Sequence, residues 1–389
     1  MMALSFGFGQ SEAGSGSVAW NSGLQFKSED GAEKVKLGGR IMNDWAWLDG
    51  DDDVEAALGV LEDGTEFRRV RMFLSGQIYS NVLFKAQLDF AGGSASFKDV
   101  YLGLKGVPGL GTLKVGQQHE PFGLEELTSS NHSMFMERPL LNDAFAPSRH
   151  TGISASNTAQ EDRMTWAAGV FRNTGSTGMG TGDGEYNVTA RVTGLPVYSE
   201  KGKSLVHVGV AASHSAPSGD EVKFRARPES HLAPRFADTG DIASNAVNLL
   251  GFEGAVVQGP ISVQGEFVNA QVNQLGGEDL AFNGFYVEAS FFVTGEHRAY
   301  KKSSGKFGRV KPEENFSSDG GSGALELAAR FSSLDLDDNN IEGGILDSIS
   351  GGVNWYLNPN TRVMLNYVMA EVEDGGTAHI GQTRFQVDF

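Results

Sequence analysis

Cysteine is absent from the 389 residues, which excludes a disulfide scaffold and thiolate metal sites. No apolar run approaches the roughly 18 residues of a membrane-spanning helix, so a helical membrane protein is excluded. Base is scarce: 31 Lys and Arg face 49 Asp and Glu, a net charge of −18 that argues against nucleic acid as a partner. Most of the acid sits in turn-like stretches, Asp49 to Glu55, Glu62-Asp63 and Asp335 to Glu342, and so says little about the charge of an interior. Enzyme signatures are also missing. There is no GxSxG, no His-Glu-x-x-His and no phosphate-binding glycine loop, and nothing calls for a cofactor. The opening Met1-Met2-Ala3-Leu4 lacks a basic n-region and an apolar h-region, which reads as a mature form whose secretory signal has been removed.

What is present is alternation. From Glu66 to Phe90 one parity carries Val70, Met72, Leu74, Gly76 and Ile78, the other Arg69, Arg71, Phe73, Ser75, Gln77 and Tyr79. After Ser80-Asn81 it resumes, with Val82, Phe84, Ala86, Leu88 and Phe90 against Leu83, Lys85, Gln87 and Asp89. Period two means strand, and a short polar break between two such runs means a hairpin. This hairpin alone also fits a water-soluble sandwich with its apolar face inward. The rest of the chain decides. Alternation recurs from Val35 to Trp47, Phe97 to Lys105, Met164 to Val170, Tyr186 to Val192, Val206 to Val210, Val222 to Arg227 and on to Phe385-Val387-Phe389. In all, 17 or 18 candidate strands of roughly ten residues appear, with no competing helical pattern. Short breaks (106–111, 195–203, 358–360) alternate with long ones (49–64, 121–149, 295–321), which predicts short turns on one rim and long loops on the other. The fold class is therefore all-β: a transmembrane antiparallel barrel with oil outside and water inside. Residues 1–32 form an N-terminal segment, Gly/Ser-rich over 1–16, with a short strand at Val18 to Lys27, and 33–389 form the barrel.

Several motifs carry a family resemblance: Leu37-Gly38-Gly39-Arg40, Phe67-Arg68-Arg69-Val70-Arg71, Val115-Gly116-Gln117 with Pro121-Phe122-Gly123-Leu124-Glu125, and Phe135-Met136-Glu137-Arg138. Gly295-Glu296-His297-Arg298-Ala299-Tyr300 and Gly305-Lys306-Phe307 follow in order. In these motifs the chain resembles the phosphate-selective porin O/P family of Gram-negative outer membranes. The resemblance implies sixteen strands, a homotrimer surrounded by outer-membrane lipid and lipopolysaccharide, and a channel for small anions such as phosphate. It implies that 121–149 folds inward as a pore-constricting loop. It places Arg40, Arg68, Arg69 and Arg138, with Asp99, Ser129 and Ser130, at the constriction, and an arginine ladder at Lys223, Arg225, Arg227 and Arg235. The chain departs from the family at Arg71, where a tyrosine is expected, and at His119 and Glu126, near which a lysine is expected.

The residues themselves point the same way. Arg69, Arg71, Lys85, Asp99, Lys114, Arg191, Lys223, Arg225 and Arg227 all oppose apolar faces and so line the lumen. An arginine is a permanent charge with a planar donor fork suited to phosphate oxygens. The alternative is that such charges only pair across the lumen to keep it solvated. Asp49, Asp51 and Asp53 offer oxygen ligands for Ca²⁺, though without the EF-hand's glycine and terminal glutamate, so a solvated acidic loop is the simpler expectation. Two function classes stay open: a diffusion channel, anion-preferring or a weakly selective general porin, and a structural or adhesin-type barrel whose loops bind partners.

Overall fold

A computed structural model describes residues 16–389; the Gly/Ser-rich start, Gly16 excepted, lies outside the described residues. Sixteen strands form one closed antiparallel barrel. They are β1 (Lys34–Gly50), β2 (Gly64–Ile78), β3 (Val82–Asp89), β4 (Ser96–Val107), β5 (Gly111–His119), β6 (Arg149–Ala159), β7 (Met164–Arg172) and β8 (Tyr186–Ser199). The second half is β9 (Ser204–Ser215), β10 (Ile242–Gln258), β11 (Ile261–Gln274), β12 (Leu280–Phe292), β13 (Ala324–Asp338), β14 (Ile341–Asn358), β15 (Thr361–Val372) and β16 (Gly376–Asp388). Each pairs with its sequence neighbour, and β16 pairs with β1 from Ala378↔Gly50 to Asp388↔Arg40. Closure leaves no open edge in the wall, the condition for a sheet to cross lipid.

The seam explains one motif. Beyond Arg40, β1 pairs instead with an N-terminal hairpin, Gly16–Trp20 and Leu24–Ser28, whose inner strand takes Leu37 to Lys34. The final residue, Phe389, exchanges two backbone hydrogen bonds with Gly39. A Cβ on Gly38 would strike the Phe389 carbonyl, and one on Gly39 its ring. The two glycines therefore let the chain end seat on the seam and bring Arg40 to the level where the barrel closes.

Alternation sorts the side chains as expected, with one correction. Leu74, Val115, Val210, Phe252, Val287, Leu327 and Leu365 face outward and are exposed to lipid. The lumen, however, is not polar throughout. Near the loop rim, inward Leu249, Val268, Phe282, Leu334, Leu346, Val368 and Ile380 bury against Phe122, Leu141, Phe145, Phe224 and Phe236 from the connections.

The connections also divide differently from the sequence expectation. Short turns 79–81, 108–110, 160–163, 200–203, 259–260 and 359–360 share one rim, but so does the 31-residue connection 293–323. It bends back into the barrel, where Tyr300 and Phe307 pack with Leu195, Leu205 and Val257. A further long connection, 216–241, stands where the sequence suggested a strand at Val222 to Arg227. Only Glu221–Val222 join the wall as strand, and Arg225–Ala226 pair with Ala237–Asp238 inside the loop. The local alternation is real, but it separates the loop's own apolar side from its wet side. The hairpin break spans 79–81, taking in Tyr79 as well as the expected Ser80-Asn81, with positive φ at Tyr79 and Ser80.

Candidate functional site: the charged lumen

Three connections, 120–148, 216–241 and 293–323, lie against inward side chains of the far wall. Arg384 on β16 donates to the Met136 carbonyl at 2.5 Å, Arg362 on β15 to that of Ser133 at 2.8 Å, and Asn366 accepts from Met136 N at 2.8 Å. Arg330 on β13 sits between Glu229 (2.5 Å) and Glu288 (3.3 Å) with its guanidinium 4.3 Å from the Phe135 ring centre. Arg191, His207 and Glu253 form a similar cluster behind Tyr300. The lumen of β10–β16 is thereby filled.

The opposite side stays open as two cavities. One, of about 230 Å³ near the loop rim, is lined by Arg68, Arg69, Glu126, Glu137, Arg138 and Arg227 among others. The other, of about 610 Å³ near the turn rim, is lined by Lys85, Asp99, Lys114, His119, Arg191 and Lys306 among others.

Between and beside these cavities lie most of the expected site residues. Arg68 and Arg69 are adjacent in a strand and should face opposite ways. A bulge in β2, opposite Met42 and Asn43 of β1, leaves Arg68 unpaired and turns both into the lumen. Both reach Glu137, Arg68 through two 2.9 Å hydrogen bonds and Arg69 at 3.6 Å. Arg384, already paired with Asp44, reaches the same carboxylate at 2.8 Å. Burial alone would raise the Glu137 carboxyl; Arg68, Arg69 and Arg384 outweigh it and hold it well below the usual carboxylate range.

Further round, Asp89 takes Arg71 at 2.7 Å and Lys98 at 3.9 Å, and Asp99 takes Lys85 at 2.5 Å and Arg149 at 2.6 Å. Arg40 donates to Ser130 Oγ at 2.8 Å and more loosely to Ser129 Oγ at 3.5 Å, and meets no carboxylate among the described residues. Arg138 lies on the 120–148 connection, 3.1 Å from Glu126. Arg40, with Ser129 and Ser130, thus stands near Arg71, Arg149 and Asp99, Lys85 joins through Asp99, and Arg68, Arg69 and Arg138 line the upper cavity.

The ladder residues do not form a strand-borne column. Lys223 pairs with Asp241 at 3.0 Å, Arg235 with Asp143 at 2.5 Å, Arg225 is exposed, and Arg227 alone of the four lines the upper cavity. The Ca²⁺ candidates are separated by their roles. Asp51 caps the helix Asp52–Leu58 through Val54 N and accepts from Thr377 N, while Asp49 and Asp53 are exposed. No three carboxylates converge to hold a metal among the described residues.

Sequence reasoning missed Lys98, Arg149 and the sharing of Glu137. Arg149 sits where a loop becomes a strand, so no alternation marked it. The signal that pointed to it was Asp99, an acid on a basic face with need of partners.

Three comparisons place the chain among known proteins. A family model described as phosphate-selective porin O and P matches residues 35–389. An uncharacterised protein of Caulobacter vibrioides is 28% identical over 95% of this chain and 75% of its own length. Porin O of Pseudomonas aeruginosa is 25% identical over 92% of this chain and 87% of its own. Among solved structures, an anion-selective porin from Comamonas acidovorans shares the fold at a TM-score of 0.60 and 13% identity, covering 92% of this chain and 100% of that one. A closed sixteen-stranded barrel with a charged, partly filled lumen, matched along nearly its whole length, is an outer-membrane channel: the chain belongs to the phosphate-selective porin O and P family and resides in the bacterial outer membrane.

Proposed function

We propose that this porin conducts small anions, phosphate among them, past a neck formed by Arg40, Arg71, Lys85, Lys98 and Arg149 with the hydroxyls of Ser129 and Ser130. The observation that carries the reading is the charge count at the neck. Five cations meet two carboxylates, Asp89 and Asp99, each shared by two of the cations, and among the described residues Arg40 has only hydroxyl partners. A guanidinium beside two hydroxyls offers donors to an oxyanion without a resident acid to displace. Low-dielectric walls focus this field, whereas loop carboxylates beyond a Debye length of about 8 Å are screened. The 120–148 connection supplies both serines and so acts as the constricting loop.

Bilayer recording in a salt gradient tests the reading. The wild type should reverse on the anion side, and Arg40→Glu with Arg71→Glu should move the reversal potential towards cations. A cation-preferring wild type that the double mutant leaves unchanged sinks it. One observation favours weak selectivity as a second reading: Glu126 brings a carboxylate to Arg138 just above the neck. Chloride current that inorganic phosphate does not reduce would favour that reading.

We also propose a homotrimer. β3 and β5 hold 8 and 9 residues, against 17 and 18 in β10 and β14. A transmembrane strand needs about 9–11 residues, which β3 misses and β5 only just meets, so this low wall suits a subunit contact and the taller walls suit lipid and lipopolysaccharide.

A further inference from the structure

We propose that Glu126 is a tethered anion that competes with the solute for Arg138. This rests on the reading that the solute is an anion. Glu126 belongs to the short turn Leu124–Leu127 and is 4% exposed. Its Oε2 lies 3.1 Å from Arg138 Nη1 and its Oε1 3.2 Å from His119 Nδ1. Glu126 lines the upper cavity and His119 the lower, so this carboxylate stands between the two.

Two features separate a competitor from a structural ion pair. First, Arg138 does not need the carboxylate to stay in place. Its guanidinium donates to three carbonyls, Glu126 O at 2.8 Å, Glu125 O at 3.2 Å and Thr128 O at 3.3 Å. The turn is held independently as well, because the amides of Leu124 and Glu125 donate to Glu266 at 2.8 and 2.7 Å. Second, the Glu126 carboxylate is poorly satisfied. Oε1 is buried and faces His119 Nδ1 without hydrogen-bond geometry, and neither atom has another partner. A buried acceptor left in this state gives up little when it swings away. An arriving phosphate would then offer Arg138 a second oxyanion in place of the first. Burial alone would raise the Glu126 carboxyl, but Arg138 outweighs it and holds the group below the usual range, so the competitor is charged at neutral pH.

The test is a double-mutant cycle read by phosphate block of chloride current, with inorganic phosphate as the probe. Glu126→Gln should lower the half-blocking phosphate concentration severalfold, because Arg138 stays posed with its donor free. Glu126→Asp, which keeps the charge, should fall between Gln and wild type. The decisive arm is Glu126→Gln in an Arg138→Gln background. If the carboxylate competes for Arg138, the gain disappears there. If it acts only through its long-range field, the same gain appears in both backgrounds and the proposal is overturned. An anion-preferring wild type whose block Glu126→Gln does not change also overturns it while leaving the proposed function intact. A wild type that prefers cations removes the proposed function first. Should Glu126→Gln not yield a heat-modifiable barrel, Arg138→Gln carries the test alone. It then exposes an unneutralised carboxylate and must weaken both phosphate block and anion preference; no change in either overturns the proposal.

Discussion

On β12 the inward positions Leu280, Phe282, Gly284, Tyr286, Glu288, Ser290 and Phe292 are all buried, in strict alternation with outward residues that are exposed or half-exposed. On β6 the corresponding alternation is lost, and nearly every residue is half-exposed. The two halves of one lumen thus hold the same kinds of charge in different surroundings. Arg330 and Glu229 in the filled half have side chains 1% exposed, whereas Lys85 and Asp99 in the open half are 23% and 15% exposed. In the filled half each charge is desolvated and depends wholly on its partner. In the open half water shares the load, so a cation can release its carboxylate to meet a solute. Porin function needs both: a rigid side that holds the connections in place and a wet side whose ion pairs can open.

Breaking an ion pair on each side should separate the two sharply, and this is the largest effect expected. Arg330→Met strands Glu229 and Glu288 without their cation and should destabilise the barrel by about 3–5 kcal/mol. Lys85→Met leaves Asp99 with Arg149 and with water and should cost only about 0.2–1 kcal/mol. Reversible urea unfolding in lipid vesicles measures both. Equal costs would mean that the filled half is hydrated after all and that the comparison fails.

How much of this was legible in the sequence follows from the same division. Wall strands reveal themselves because each side chain meets one of two media, and Val82 to Asp89 or Val363 to Met369 show the period plainly. The connections inside the lumen meet both media at once. Val222 to Arg227 alternated like a strand because Phe224 and Ala226 pack on the core while Arg225 and Arg227 face water. Connection 293–323 was legible as long but not as inward, since its position depends on which rim it leaves, and that depends on counting every strand before it. At the site, parity identified Arg69, Arg71 and Lys85 as lumenal. It had no means of assigning Arg68, whose direction comes from a bulge, nor Arg149, whose partner Asp99 is 50 residues away.

The outer surface offers an intermediate test. Val287 on β12 is half-exposed to lipid on the wall that encloses the filled half. Val287→Arg should cost about 2–4 kcal/mol if it lies near the bilayer midplane. Rigid packing behind it gives the wall no freedom to turn the guanidinium inward. Leu74→Arg, on the open half, carries the same transfer cost but lies on the wall near the short strands β3 and β5. There it should also weaken subunit association, seen as loss of the heat-sensitive oligomer on gels at a stability cost no larger than that of Val287→Arg. Loss of the oligomer in the Val287 variant but not in the Leu74 variant would move the subunit contact to the other wall.

The smallest effect expected lies on the boundary between the halves. Lys306 belongs to the connection 293–323 that plugs the filled side, yet it lines the cavity of the open side. Burial first, then repulsion from Lys301 and Lys114, push its ammonium down to about 7. A lysine lowered in this way is charged below that pH and neutral above it. Acidifying from pH 8 to pH 6 therefore adds a positive charge to the lower cavity and should raise anion preference, and alkalinisation should reduce it. Other groups facing the same cavity titrate as well, so the wild-type profile alone does not isolate Lys306. Lys306→Arg does, because a guanidinium remains protonated throughout this range. The variant should match the wild type at pH 6 and retain more anion preference at pH 8, with the difference between the two reversal potentials opening around neutral pH. Parallel profiles would mean that water in the cavity already hydrates the Lys306 ammonium as fully as bulk solvent does, and that the plug's edge belongs electrostatically to the open half.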